Sequence, residues 1–209
     1  MKKKITEKQI HILDIAEELI AKKGYEGTSV RDICYKANIN VAMISYYFGS
    51  KEKMTSYLYQ YRVLKTRENF SEFADTIKDG KPEMQMKEII KYIVSQLFKY
   101  NYFHGFVTQE LRHTENLKDE PLDFYQLFVK KLDEVIKKGV TSGVFKFTPK
   151  PEDVLTTIIG STLFVIRNKN FYELYVPSKN EETYAKEAEK NVRMNLLMSV
   201  FAILGYAAD

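Results

Sequence analysis

Three observations predict an all-α fold for this 209-residue chain. Apolar residues recur at three- and four-residue intervals along almost its whole length. Helix boundaries are marked: Thr6, Ser29, Asn40 and Ser50 stand where N-caps belong, and Asn38 and Gly49 where helices stop. The only strand-like alternation, over residues 144–147, is too short and isolated to build a sheet. The expected architecture is a three-helix N-terminal head containing a helix-turn-helix. A long fourth helix joins it to a C-terminal helical domain. The head is placed at residues 6–66, with the helix-turn-helix at about 29–48, and the second domain at 67–209.

Residues 1–5 form a short basic arm that can reach a phosphate backbone. Thr6 and Gln9 have capping-box spacing and open a first helix, whose Ile12, Ile15, Ala16, Leu19 and Ile20 face inward and which ends at Lys22, Lys23 and Gly24. Ser29 and Asp32 repeat that spacing for a second helix, with Val30, Ile33, Cys34 and Ala37 inward. Asn38 tolerates the left-handed conformation that stops a helix, Ile39 gives the turn an apolar anchor, and Asn40 caps a third helix. On that helix Ile44 and Phe48 face inward. The outer face, Val41, Ala42, Met43, Ser45, Tyr46 and Tyr47, carries no net charge and suits contact with base edges. Helix, short turn, helix is a DNA-reading signature.

Residues 28–53 also resemble the TetR family of bacterial transcriptional repressors. Thr28, Ser29, Ile33, Ala37, Ile39, Ile44, Tyr47, Phe48, Ser50, Lys51 and Glu52 stand at matching places in the family pattern. Cys34 departs from an Ala, Asn38 from the turn Gly, Asn40 from a Ser and Ser45 from a Tyr. Three of these exchanges are physically mild; Ser45 loses one contact, for which Tyr46 can partly substitute. The resemblance implies that Thr28 and Lys51 anchor phosphates, with Asn40, Val41, Ala42, Met43, Ser45, Tyr46 and Tyr47 in or beside the major groove. For Lys51 the helix dipole agrees. A cation in a first turn costs about 0.3–1 kcal/mol, which a phosphate there, or Glu52, would offset.

Charge is distributed as such a head requires. Residues 1–67 hold 13 Lys and Arg against 7 Asp and Glu, a balance of +6, and the rest of the chain balances at −2. Lysines that merely solubilise a surface would give the same count without the motif. One cysteine fits a reducing compartment; Cys34 reads as core, with a redox role as the alternative. With neither an 18-residue apolar run nor a signal-peptide pattern, a cytoplasmic protein is expected.

The fourth helix is expected from Lys51 to about Lys78, broken by Asp79, Gly80 and Pro82. Further helices are expected at 84–100, 104–112, 121–141, 151–172 and 181–206. The helices at 151–172 and 181–206 carry more apolar surface than one small core needs. A dimer interface built on Leu155, Ile159, Leu163, Leu196, Leu197, Val200, Phe201 and Leu204 is the functional reading; central helices of a bundle, apolar all round, are the plain one. The resemblance implies the dimer, since TetR-like repressors pair through their last two long helices.

Aromatic and polar residues of the middle helices, Tyr92, Gln96, Tyr100, Phe103, Phe106, Gln109, His113, Phe124, Tyr125 and Phe128, could line a pocket for a small apolar or aromatic molecule. Aromatics at helical spacing are more often core. The resemblance implies that a pocket exists. No P-loop, GxGxxG, GxSxG, HExxH or CxxC motif occurs, and His11, His104 and His113 lack metal-ligand spacing. No catalytic residue, metal or cofactor is therefore expected. The reading that follows is a homodimeric, ligand-responsive regulator of double-stranded DNA, released from a palindromic operator by a small-molecule effector. The rivals are a DNA-binding activator or architectural protein with the same head and no sensing, and an all-α enzyme or interaction bundle.

Overall fold

The computed structural model describes residues 5–100, 120–176 and 180–207, with the backbone alone at 120–124 and 181. Every regular element among them is a helix: α1 (Glu7–Lys23), α2 (Val30–Ala37), α3 (Ala42–Tyr47), α4 (Lys51–Ile77), α5 (Pro82–Lys99), α6 (Glu120–Thr141), α7 (Pro151–Arg167), α8 (Lys169–Tyr172) and α9 (Glu181–Leu204). Residues 1–4 of the basic arm and the helix expected at 104–112 lie outside the described residues. Close contacts divide the chain into two compact units, a head over residues 5–70 and a second unit over residues 71–100 and 123–207.

In the head, the capping chemistry read from the sequence sets the helix starts. The Thr6 hydroxyl accepts from the Gln9 N–H at 3.3 Å while the Gln9 side chain accepts from the Thr6 N–H at 3.0 Å; Ser29 and Asp32 repeat this reciprocal pair for α2. α1 and α2 pack together, and Met54, Leu58 and Tyr61 of α4 close one core with Leu13, Ile33, Ile44 and Phe48. A second link between α1 and α4 is ionic. Arg62 Nε donates to Glu17 Oε1 at 2.7 Å, its Nη2 pairs with Oε2, and both side chains are buried.

In the second unit, α5 packs against both α7 and α9, and α7 against α9. Met86, Ile89, Ile90, Ile93 and Val94 of α5 are fully or almost fully buried as a result. Two boundaries differ from expectation. Pro82 starts α5 instead of only ending what precedes it, because a first-turn proline lacks just the N–H that a helix start leaves unpaired. The helix expected to run through Tyr172 stops at Arg167: Asn168 leaves helical geometry and its amide donates to the Phe164 carbonyl at 2.9 Å, so α8 is separate. The 144–147 segment makes no strand. The N–H groups of Lys146 and Phe147 donate to the Leu204 carbonyl at 3.0 and 3.1 Å, closing the end of α9. Phe145 is buried between Gly139, Phe201 and Tyr206.

Candidate nucleic-acid interface

α2 ends because Asn38 takes the left-handed conformation, φ 52° and ψ 49°. Its N–H bonds the Tyr35 carbonyl and that of Ile39 bonds the Cys34 carbonyl, so the last carbonyls of α2 are satisfied inside the turn. Asn40 then caps. Its Oδ1 accepts from the Ala42 N–H at 2.8 Å while Val41 is already helical, so regular hydrogen bonding begins one residue after the chain has turned. With six residues α3 is too short to persist alone. Burial of Ile44 and Phe48 holds it, Phe48 meeting the Tyr57 ring edge-on, and Gln9 Nε2 donates to the Tyr47 carbonyl at 3.3 Å. Capping spacing predicts the first role of Gln9; nothing along the chain signals this second one.

The outer face of α3 is open. Val41 is 50% and Tyr46 79% exposed; Asn40, Ala42 and Ser45 are exposed, and Met43 and Tyr47 are half-buried. Tyr46 and Tyr47 stand edge to face with centroids 5.1 Å apart. This face offers one carboxamide, a serine hydroxyl, tyrosine hydroxyls and small apolar groups. Such groups can take base-edge hydrogen bonds and thymine methyl contacts without desolvating a charge.

Part of the basic excess of the head is spent internally. Glu18 accepts from Lys22 at 2.8 Å and pairs with Lys36 at 2.6 Å, which together hold its carboxyl down at about 2. The two residues expected to anchor phosphates are placed differently from the reading face. Thr28 is fully buried and its hydroxyl donates to the Gly24 carbonyl at 2.8 Å. The Thr28 hydroxyl, expected to anchor a phosphate, is thus engaged inside the turn. Lys51 is half-buried, donates to the Tyr25 carbonyl at 2.8 Å and lies 4.0 Å from the centroid of the Tyr25 ring.

The second unit redistributes the other expected sites. Of the interface set, Leu155, Leu196, Val200, Phe201 and Leu204 are buried within the single chain and belong to its core, since α5 covers what the sequence left open. Ile159, Leu163 and Leu197 are half-buried, and Phe164, Met194 and Met198 beside them are exposed. Of the pocket set, Tyr92 and Gln96 lie on α5, Tyr100 ends it, and Tyr125 and Phe128 lie on α6. Tyr92 stacks on Phe73 at 4.3 Å, and burial first, then the nearby Tyr100 and Glu72, push its phenol up to about 12. Phe128 is buried and Tyr125 is partly exposed. Phe103, Phe106, Gln109, His113 and the Phe124 side chain lie outside the described residues. Among those described, no cluster of histidine, cysteine and acidic residues could hold a metal ion, and no helix is long and apolar enough to cross a membrane.

A short capped helix, a left-handed asparagine turn and a second helix with an open, uncharged face define a helix-turn-helix DNA-binding module. The chain belongs to the TetR family. Residues 12–58 match the model of the bacterial regulatory proteins of that family, and residues 82–194 that of the tetracyclin repressor-like C-terminal domain. Two relatives from Bacillus subtilis (strain 168) are 28% identical to it. One, the probable HTH-type transcriptional regulator YttP, aligns over 69% of this chain and 70% of its own length. The other, a fatty acid metabolism regulator protein, aligns over 66% and 71%. The fold is shared with the Bacillus subtilis transcriptional regulator FadR in complex with stearoyl-CoA, at a TM-score of 0.60 and 21% identity over 90% of this chain and 97% of that one. The protein is thus a DNA-binding transcriptional regulator and not an enzyme.

Proposed function

We propose that the chain is a homodimeric repressor that occupies a palindromic operator and is released from it by a small-molecule effector. The observation that supports the DNA-reading part is the open face of α3 and its cap; on this reading Asn40, Val41, Ala42, Met43, Ser45, Tyr46 and Tyr47 meet the major groove. The region of residues 6–66 reads DNA, and residues 67–209 sense and dimerise. Two reading helices spaced about 34 Å apart enter successive major grooves, which is why a two-fold protein suits a palindrome. The dimer forms through what α7 and α9 leave uncovered, Ile159, Leu163 and Leu197 together with Phe164, Met194 and Met198.

The effector class we favour is an acyl-coenzyme A. The fatty acid metabolism relative and the stearoyl-CoA held by a protein of the same fold support it. So does the apolar and aromatic character of α5 and α6. Effector binding shifts the population away from the DNA-competent form, for which a coupling of about 1–3 kcal/mol suffices. Such a protein works beside the chromosome, in the cytoplasm.

The test is binding to the DNA upstream of its own gene, against a scrambled duplex, at two salt concentrations and with and without stearoyl-CoA. Saturable, salt-weakened binding to the first duplex alone, relieved by the acyl-CoA, is the expected result. Binding that no acyl-CoA relieves would leave an activator or architectural protein with the same head. Ala42→Asp should abolish specific binding without lowering the melting temperature; unchanged affinity would refute the placement of α3.

A further inference from the structure

We propose that the buried Glu17–Arg62 pair is a positioning pair: it fixes the direction in which α4 leaves the head, and so sets the half-site spacing that the dimer accepts. This rests on the reading of the protein as a homodimer on a palindromic operator, and adds what holds the two reading helices at their separation. Arg62 Nε donates to Glu17 Oε1 at 2.7 Å and Nη2 pairs with Oε2, so two nitrogens of one planar guanidinium meet both oxygens of one carboxylate. Both residues are 9% exposed, and they stand 45 positions apart, one on α1 and one on α4.

A forked contact between planar groups is directional. The apolar contacts that Met54, Leu58 and Tyr61 of α4 make in the head core are not, since apolar burial follows area and lets a helix roll or slide at little cost. Exchanging a buried ion pair for apolar side chains of similar volume is often neutral for stability, so what this pair adds is geometry. The same α1 also holds the reading helix, through Gln9 Nε2 and the Tyr47 carbonyl at 3.3 Å. One helix therefore fixes both the end of α3 and the course of α4. α4 is continuous, with its residues up to Phe70 in the head and its last turns, to Ile77, in the second unit. From Arg62 to Ile77 it is roughly 22 Å long, so a tilt of about 10° at the pair moves its far end by about 4 Å, close to the roughly 3.4 Å rise of one base pair.

The test compares the wild type with two variants of the whole chain. Glu17→Met combined with Arg62→Met leaves an apolar pair and no stranded charge; Arg62→Lys keeps the charge and loses the fork. Each protein is titrated against duplexes carrying the half-sites that the wild type selects from a random pool. These duplexes have the selected separation, or one or two base pairs more or fewer, or a single half-site. On this proposal the wild type loses roughly ten-fold or more in affinity when the separation changes, and the double variant roughly three-fold or less, with Arg62→Lys between them. All three bind the single half-site alike.

A wild-type spacing profile in both variants would overturn the proposal. So would single half-site affinity that falls as far as affinity for the whole operator, because the pair would then support the fold of the head and nothing more. Should the double variant fail to fold, Arg62→Lys still decides, since an unchanged profile in that variant also refutes the role of the fork. A wild-type protein that selects no sequence, or only a lone half-site, would instead remove the functional reading, and this proposal with it.

Discussion

In the head every helix starts on a side-chain cap: Thr6 and Gln9 for α1, Ser29 and Asp32 for α2, Asn40 for α3, and Ser50, whose hydroxyl accepts from the Lys53 N–H at 3.2 Å, for α4. In the second unit α5 and α7 start at a proline with no side-chain cap and are fixed by what covers them; α9 has a capping box, from Asn180 and Thr183. The outward faces differ too. The reading helix shows an uncharged mixture around two tyrosines, whereas the second unit exposes larger apolar groups, among them Phe164, Phe171, Leu174, Tyr175, Met194 and Met198. Short helices that must present one face to a ligand are held by local bonds at their ends. Long helices that must bury surface are held by area, and the area they leave over is available for association.

The Glu17–Arg62 pair is the strongest way to break this contrast, because it fixes α4 in the head by a distant and buried interaction. Arg62→Met takes the cationic partner from a buried carboxylate and should cost about 3–5 kcal/mol of stability, read by urea unfolding. A loss below about 1 kcal/mol would show that local caps and apolar burial suffice.

Next come two glycines that sit in helices of the second unit. At Gly139 an added methyl would stand 2.0 Å from the buried Phe145 ring, so Gly139→Ala should destabilise by about 1–3 kcal/mol. The cap of α2 follows: Ser29→Ala should cost about 1 kcal/mol and lower the melting temperature of the head, without changing the second unit. A smaller effect of opposite sign is expected at Gly160, where an added methyl meets nothing within 4 Å. Gly160→Ala should stabilise by about 0.5–1 kcal/mol in calorimetry; a loss instead would place a close neighbour against α7 in the assembled protein.

The last effect is invisible at neutral pH. The phenol of Tyr92 is raised from 10 to about 12, so the neutral form is favoured when folded. Its contribution is intact below pH 10 and lost as the pH rises through about 12. Tyr92→Phe should therefore lessen unfolding between pH 10 and 12 and leave it unchanged at pH 7, followed by circular dichroism against phenolate absorbance at alkaline pH.

Much of this was legible because it is chemistry between near neighbours. The left-handed Asn38, the reciprocal caps and the inward Ile44 and Phe48 each follow from residues no more than a few positions apart, and each lies where it was read. The apolar stripes of α7 and α9 were also read correctly as stripes. Their destination was not legible: Leu155, Leu196 and Val200 are buried within the single chain, where α5 packs on both helices, and Phe164, Met194 and Met198 are exposed. Periodicity reports that a face is apolar and does not report what covers it.

By itself, then, the sequence determined an all-helical chain, the position of the helix-turn-helix and which side of its second helix faces outward, since caps, turn conformations and helical periodicity are local. Only the tertiary structure decided that Thr28 is buried, that Lys51 turns to Tyr25, that Glu17 meets Arg62 and that α5 closes the core of the second unit. These depend on groups 26 and 45 residues apart, or on helices far separated in the chain, being brought together. A charged side chain takes whichever partner the fold delivers, and nothing in its neighbours along the chain records which one that is.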